Sequence, residues 1–443
     1  MTRDVRKSKR KPFLQRQYNV RQTAIRCVLG SVIFLIFSVI ADRIIGVVAP
    51  ARQPVQVAHP INFQERRNNL EFNVEFRTNS QGLRSPEIPL KKTTPNEFRI
   101  VFSGDSFTEG HGVKLEEAYP LQVAQLGSTE LQIIRSINCG FSGSGPLQYC
   151  RGLFCVGLKY NPDLVVIGVY SNDLLDTSPD DALLVQRTPS GKYQVPNADL
   201  KWQPGTPLRR LAYQLLPWTY SRLQLLRSTQ SQESLRNLPF IDQLHERGRR
   251  AGFSKSELSE WEQRLPPHIL KACNRGLIYP ARIASGFLQP DHYEQMLEIR
   301  NKETQFNWQA MQNIFKRTVE LCQHEKIPVA FLYIPTYVQY DQTICDLDRE
   351  IGAIIKSEWL TGQAELELRL QNWCQRSSLD YFSLTTLLRK ACLSKPGGYN
   401  LKIDGHWNRD GHTLVATAVL NWLTSQKLVP RPSDRVPTGL LEQ

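Results

Sequence analysis

Residues 99–110 read RIVFSGDSFTEG, and this stretch decides the fold. Its apolar start is typical of a buried strand, and the segment that begins at Ser106 is compatible with a helix. A serine at such a junction points out of the carboxyl edge of a parallel sheet, where open α/β sheets keep their functional sites. Its amide lies near a helix N-terminus, which favours developing negative charge. Ser106 is therefore the candidate nucleophile.

Further apolar runs place this strand in a larger sheet. The sequence predicts strands over residues 98–103, 131–137, 162–169, 327–335 and 379–384. It predicts the helices that follow or separate them over residues 115–127, 146–159, 303–325, 361–377 and 410–426. Alternating strands and helices are typical of a parallel sheet with right-handed crossovers, so the predicted fold class is α/β.

The net charge of +13 is concentrated at the N-terminus. Residues 1–26 hold nine Lys or Arg and one acid, so the rest of the chain carries only +5. The apolar segment 27–49, interrupted by Asp42-Arg43, is long enough to cross a bilayer. The basic block predicts a single-pass anchor whose N-terminus stays in the bacterial cytoplasm. This topology explains the basic block without a nucleic-acid partner and places residues 50–443 in the periplasm or outside the cell.

A cleaved signal peptide is the competing interpretation of this apolar segment, but no small-x-small site closely follows it. Eight cysteines beyond Cys27 would permit disulfides in an exported domain, with the pairing left open. No Cys/His spacing resembles a zinc site, so we expect no metal.

Changes in amino-acid composition along the chain predict the remaining segment boundaries. Residues 50–97 are interpreted as a linker and lead-in, and residues 428–443 as a tail. The α/β domain is expected in two parts, 98–176 and 306–427. Between them, residues 177–305 are polar, with helical spacing at 207–227 and 255–272. We interpret this segment as a mostly helical insertion, which is either a lid over the site or a packing decoration.

The general base is expected on the loop IDGHWNRDGH, residues 403–412. Asp404 stands two residues before His406, so its carboxylate can accept from one ring nitrogen while the other takes the serine proton. Asp410 and His412 repeat the same pattern. We prefer Asp404 and His406 because they precede the predicted helix, whereas His412 falls in its first turn and is expected to pack or cap.

Two loops at other strand ends offer donors for an oxyanion. Residues 138–145 read NCGFSGSG, and glycines let backbone amides approach a ligand closely. Asn172 follows the third strand and can aim its side-chain NH2 into the site. Taken alone, the first loop is equally a flexible turn and Asn172 equally a helix cap.

In chain order these pieces resemble the four blocks of the SGNH (GDSL-type) hydrolase family, as a membrane-anchored bacterial member. The resemblance covers about 75–176 and 305–425. The Asp-to-His spacing is two where many members have three, and the Asp-x-His-Trp form is similar to that of exported polysaccharide O-acetyltransferases. The matching residues are Gly104-Asp105-Ser106, Gly143, Asn172 and Asp404-Gly405-His406.

The resemblance implies a flavodoxin-like, three-layer α/β/α sandwich with Ser106, His406 and Asp404 as catalytic triad. It implies an oxyanion hole made by the amides of Ser106 and Gly143 and by the side chain of Asn172. We therefore expect a serine esterase without cofactors that acts outside the cytoplasmic membrane on O-acyl, mainly acetyl, esters of glycans. An O-acetyltransferase for an envelope or secreted polysaccharide is the alternative. A non-catalytic carbohydrate-binding protein ranks lower, because the triad is complete; the oligomeric state is left open.

Overall fold

The computed structural model describes residues 10–48, 58–177, 240–250, 252–278 and 280–430, with a few short pieces between 186 and 219. The chain divides into two compact units, residues 1–54 with 199–237 and residues 55–198 with 238–443. The predicted insertion is therefore shared between both units. The predicted helix at 207–227 lies almost wholly outside the described residues.

The bounds of the regular elements are as follows. The strands are β1 (Gln64–Asn68), β2 (Asn73–Arg77), β3 (Glu97–Gly104), β4 (Ile133–Gly140), β5 (Leu164–Tyr170), β6 (Gln186–Arg187), β7 (Tyr193–Gln194), β8 (Val329–Ile334) and β9 (Asp380–Ser383). The described α-helices are α1 (Arg10–Val48), α2 (Ser106–Glu109), α3 (Tyr119–Gly127), α4 (Pro146–Cys155), α5 (Phe240–Arg250), α6 (Lys255–Arg264), α7 (Pro267–Asn274), α8 (Pro280–Leu288), α9 (His292–Leu297), α10 (Lys302–His324), α11 (Gln342–Ile351), α12 (Glu358–Thr361), α13 (Glu365–Arg376), α14 (Thr385–Ser394) and α15 (Arg409–Ser425).

Helix α1 belongs to the first unit and contains the apolar segment. Within the described part of the chain, its stretch Ile25–Ile44 is the one long and apolar enough to cross a membrane. Length and composition alone support a span, and a signal sequence meets the same criteria. Asp42, which interrupts the segment, is buried and accepts a hydrogen bond from the backbone N–H of Thr219 at 2.7 Å.

The second unit is built on a five-stranded parallel sheet in the order β4-β3-β5-β8-β9. Counting only these strands, the order is 2-1-3-4-5, which is that of flavodoxin-like folds. The five predicted strands all occur, each with its ends shifted by up to three residues. The functional edge of such a sheet lies beyond its carboxyl ends.

Both faces of the sheet are covered by helices, which makes three layers. Alternate residues of β3 point to opposite faces, so Val101 packs with α4, α10 and α13, whereas Ile100 and Phe102 pack with α3, α14 and α15. Strands buried on both faces read as continuous apolar runs, as the sequence shows for β3, β5 and β8. The expected α/β/α sandwich is confirmed.

Several elements were not predicted from the sequence. The lead-in contains a hairpin of β1 and β2, and α11, α12 and α14 were missed. All nine cysteines are free thiols, eight of them wholly or partly buried, so the permitted disulfides are not formed.

The described part of the insertion within the second unit consists of the short antiparallel pair β6 and β7 and the helices α5 to α9. Helices α5 to α8 form a small core that includes Trp261 and Ile283 and is joined by Ile351 of α11. Helix α9 packs instead with residues that follow β8, among them Val338 and Trp359. This end of the insertion therefore reaches the carboxyl edge of the sheet.

Candidate functional site

Ser106 lies at the first residue of α2, directly beyond the end of β3. The carboxylate of Asp105 caps this short helix by accepting from the backbone N–H of Phe107 at 3.0 Å. Gly140 ends the neighbouring strand β4, where a Cβ would collide with the backbone of Glu109. This close approach lets α2 lie against the end of β4.

The loop before α15 brings a histidine and a carboxylate to the same serine. The Nε2 atom of His406 lies 2.7 Å from Oγ of Ser106, and its Nδ1 atom lies 2.5 Å from Oδ1 of Asp404. Gly405 between them adopts a φ of +92°, with the ring of Tyr337 3.0 Å from the place of a Cβ. A side chain there would strain the turn that aligns the three groups.

The charges around His406 suit a base that must hold a proton during reaction. Burial lowers the pKa of His406, but the hydrogen bond and charge of Asp404 outweigh it, so the pKa is raised above 6.5. Burial likewise raises the pKa of Asp404, but hydrogen bonds and charges from His111 and His406 hold it far below its usual range. An ionised Asp404 therefore fixes the ring tautomer and stabilises an imidazolium.

His111 is a site residue that sequence reasoning missed. Its Nε2 atom lies 3.3 Å from Oδ2 of Asp404, the oxygen that His406 does not use. The sequence gives a faint signal, since His111 follows the end of α2 at Gly110, a left-handed cap with a φ of +86°. His111, Asp404 and His406 present ligand atoms within 4.8 Å of one another. A cation held there would compete with the hydrogen bonds that align Ser106.

Glu71, in the β1–β2 turn, supports the same loop from outside the predicted domain. Its Oε2 atom accepts from the backbone N–H groups of Ile403 and Asp404, at 2.8 and 2.9 Å. Segments more than 300 residues apart therefore meet here, and no local pattern in the sequence indicates this contact.

Glu109 is a fully buried carboxylate that joins α2 to the lead-in and to the loop of Gly143. It contacts Nε2 of His59 at 2.6 Å and Nη1 of Arg67 at 3.2 Å. It also accepts from the backbone N–H of Ser142 at 3.3 Å and from the hydroxyl of the same residue. Burial raises the pKa of Glu109, but these hydrogen bonds and charges outweigh it and lower the pKa to about 2.

This network predicts an acid-sensitive contribution to stability. The pKa of Glu109 is lowered from 4.5 to about 2, so its contribution is complete above pH 5 and is lost as the pH falls towards 2. The shift corresponds to about 3 kcal/mol. We expect Glu109→Gln to lower the free energy of unfolding at neutral pH and to flatten its fall between pH 5 and 2. Chemical denaturation across this pH range measures both effects.

The matched control is Glu260→Gln, which removes an exposed helical ion pair with Arg264. Exposed pairs contribute about 0–1 kcal/mol, so this variant should follow the pH dependence of the natural protein. An unchanged acid profile in Glu109→Gln would show that the buried network adds nothing to stability.

The two other predicted oxyanion donors lie on loops at this edge of the sheet. Gly143 follows β4 with a φ of +71°, in the loop held by Glu109 through Ser142. Asn172 follows β5, and its amide nitrogen donates to Asp176 at 2.9 Å, which leaves its second N–H available. Their roles as donors to an oxyanion stay predictions, as does that of the Ser106 amide.

His412, the alternative base, lies in the first turn of α15 and is buried. Its Nδ1 atom accepts from the backbone N–H of Tyr119 at 3.2 Å, and its ring stacks on that of Tyr119. Burial lowers the pKa of His412 to about 3. This histidine is a neutral packing residue, and Asp410 pairs with Lys395 on the surface.

A cavity of about 460 Å³ opens beside the triad. Its lining includes Asp404, His406 and Asn172, together with residues of α8 and α9 from the insertion. Its volume falls within the range of small-molecule sites. Residues of the insertion therefore line the same cavity as two residues of the predicted triad.

No protein-family model and no curated protein matches the sequence. Among solved structures, the chain is similar to a protein of the G-D-S-L family from Desulfitobacterium hafniense (11% identity, 73% of this chain and 99% of that chain, TM-score 0.34). It is also similar to a GDSL-like lipase from Bacteroides thetaiotaomicron (12% identity, 75% and 89%, TM-score 0.30). A third is a two-domain esterase active on acetylated mannans (12% identity, 77% and 53%, TM-score 0.31).

Proposed function

We propose that this protein is a serine-dependent ester hydrolase of the SGNH type. The observation that carries the proposal is the hydrogen-bonded line from Ser106 Oγ through His406 to Asp404, with separations of 2.7 and 2.5 Å. A hydroxyl, an imidazole and a buried ionised carboxylate in this order are the parts that acyl transfer through a covalent intermediate requires. All three lie at the carboxyl edge of the sheet, and Asp404 and His406 line a cavity that can hold a substrate.

The mechanism follows from these positions. His406 takes the proton from Ser106 as its Oγ bonds to the ester carbonyl carbon, and Asp404 stabilises the imidazolium. The oxyanion is held by the amides of Ser106 and Gly143 and by the Asn172 side chain. When the carbon–oxygen bond to the alcohol breaks, His406 returns its proton to the leaving alkoxide. Water then attacks the acyl-enzyme with His406 again as base, which releases the acid and Ser106.

The proposed substrates are O-acyl, mainly acetyl, esters of glycans outside the cytoplasmic membrane. The basic block followed by the apolar part of α1 supports an N-terminal anchor with the N-terminus inside. The α/β domain would then work in the periplasm or outside the cell, where acylated envelope and secreted glycans are found. If a sugar hydroxyl rather than water resolves the acyl-enzyme, the same site acts as an O-acetyltransferase.

Acetate release decides between these outcomes. The full chain in detergent is incubated with a chromogenic acetyl ester and with a panel of O-acetylated glycans, with and without unacetylated acceptor sugars. We expect free acetate in stoichiometric yield, little affected by the acceptor. Acetyl groups that appear on the acceptor sugar instead of free acetate would identify an acetyltransferase. Failure of every ester, together with no labelling by a fluorophosphonate, would leave only a carbohydrate-binding protein.

A further inference from the structure

The cavity beside the triad has one wall that comes from the insertion. Helices α8 and α9 contribute Arg282, His292, Tyr293 and Met296 to it. Asp404 and His406 also line the cavity, and Ser106 lies 2.7 Å from His406 although it is not itself a lining residue. A molecule in this cavity would therefore contact the insertion and lie next to the groups proposed to activate Ser106.

The insertion wall is fixed in place by a buried polar cluster. The Nε atom of Arg282 donates to Oδ1 of Asp348 at 2.5 Å, with both side chains more than nine-tenths buried. The hydroxyl of Tyr293 donates to the other carboxylate oxygen of Asp348 at 2.5 Å and lies 2.6 Å from the hydroxyl of Tyr337. Asp348 lies on α11 and Tyr337 follows β8, so the insertion is tied to the main sheet without any ligand. Breaking such a buried pair is strongly unfavourable.

The surface of this cavity combines aromatic rings with two polar groups that have no hydrogen-bond partner among the described residues. Tyr170, Tyr293 and Tyr337 line it, and rings of this kind pack well against the C–H faces of sugars. The imidazole of His292 makes no hydrogen bond with any described residue. Burial lowers the pKa of His292, which favours a neutral ring with one donor and one acceptor. The Oδ1 atom of Asn172 is also buried without a partner among the described residues.

These features favour a hydroxyl-bearing occupant over a hydrocarbon chain. A sugar hydroxyl both donates and accepts, so the hydroxyls of a sugar can pair with the His292 ring and with the Asn172 oxygen. A long acyl chain would cover the same groups and leave them unsatisfied, which is unfavourable for buried polar atoms.

We infer that the cavity is a preformed glycosyl subsite, in which His292 of the insertion hydrogen-bonds the sugar that carries the ester. This inference rests on the proposed function, because the sugar bound in this subsite would be the alcohol part of the same ester substrate. It assigns the insertion a role in substrate choice, while the sheet supplies the reacting groups.

The test measures binding without turnover. Calorimetric titration of Ser106→Ala protein with O-acetylcellobiose should show binding, and adding His292→Ala should raise Kd by about tenfold. His292→Gln, which keeps a donor and an acceptor, should recover part of this loss. The matched control is His268→Ala, because His268 is an exposed histidine on α7 of the same insertion. That substitution should change Kd by less than about twofold.

Two results would overturn the subsite. One is an equal Kd with and without His292 in protein whose thermal unfolding is unchanged. The other is a His292→Ala variant, with Ser106 present, that loses kcat/KM for p-nitrophenyl octanoate but not affinity for the disaccharide, because the cavity would then be an acyl site. Since binding is read in Ser106→Ala protein, absence of esterase activity in the natural protein would contradict the proposed function and leave a His292-dependent Kd standing.

Discussion

Ser106→Ala is expected to abolish covalent labelling by a fluorophosphonate probe and to lower kcat for an acetyl ester by roughly 10⁴-fold or more. The nucleophile is lost, and the donors left at the oxyanion position provide only the small remaining acceleration. Intact-protein mass spectrometry measures the labelling, and initial rates of acetate release measure kcat. The fold should be unaffected, because the Ser106 side chain makes one strong hydrogen bond, to His406 at 2.7 Å.

Ser425→Ala is the matched control for this experiment. Ser425 is an exposed serine at the end of α15, where its hydroxyl donates to the backbone oxygen of Trp422 at 2.8 Å. It should label completely and turn over at the natural rate. Stoichiometric labelling of Ser106→Ala protein would remove Ser106 from its proposed role.

His406→Ala should lower kcat by about 10³- to 10⁴-fold and slow labelling to a similar degree. Without the imidazole ring that accepts the serine proton, the Ser106 hydroxyl stays a weak nucleophile at neutral pH. Rates of probe labelling and of acetate release, measured on the same preparations, test this expectation. Asp410 and His412 repeat the Asp-x-His pattern of Asp404 and His406, so a variant of His412 is the matched control within the chain.

His412→Ala should have the opposite profile. It leaves the backbone N–H of Tyr119 without its acceptor, so it should lower the free energy of unfolding by about 1–3 kcal/mol. Labelling and kcat of the folded variant should stay close to those of the natural protein. Loss of labelling in His412→Ala but not in His406→Ala would exchange the roles of the two histidines.

The parts of this architecture that could be predicted are those with a local cause. A strand buried on both faces must be apolar at successive positions, and β3, β5 and β8 show this directly in the sequence. The positions of Ser106 and His406 could be predicted for a similar local reason. Each stands on a turn at the end of an element, and parallel strands bring such turns to one edge.

The parts that could not be predicted depend on contacts between distant segments. Nothing around Glu71 indicates that it contacts the loop of Asp404, because this contact forms only when the hairpin packs beside the sheet. His111 has only the faint signal of the turn at Gly110, and its contact with Asp404 joins segments nearly 300 residues apart. Glu109 reads as an ordinary helix residue, yet it is fully buried against three segments. The contribution of the insertion to the cavity was left open for the same reason.

The contact of Glu109 with His59 and Arg67 bears on how much of the chain a working enzyme must keep. The stretch that joins α1 to the sheet would be taken for a dispensable tether. It carries the Arg67 guanidinium and the His59 ring nitrogen that contact a buried carboxylate three residues after Ser106. If proteolysis removed the chain up to a point after Arg67, the Glu109 carboxylate would stay buried without these partners, which would lower the free energy of unfolding by about 3–5 kcal/mol. A shed form that stays active must therefore be cut before His59.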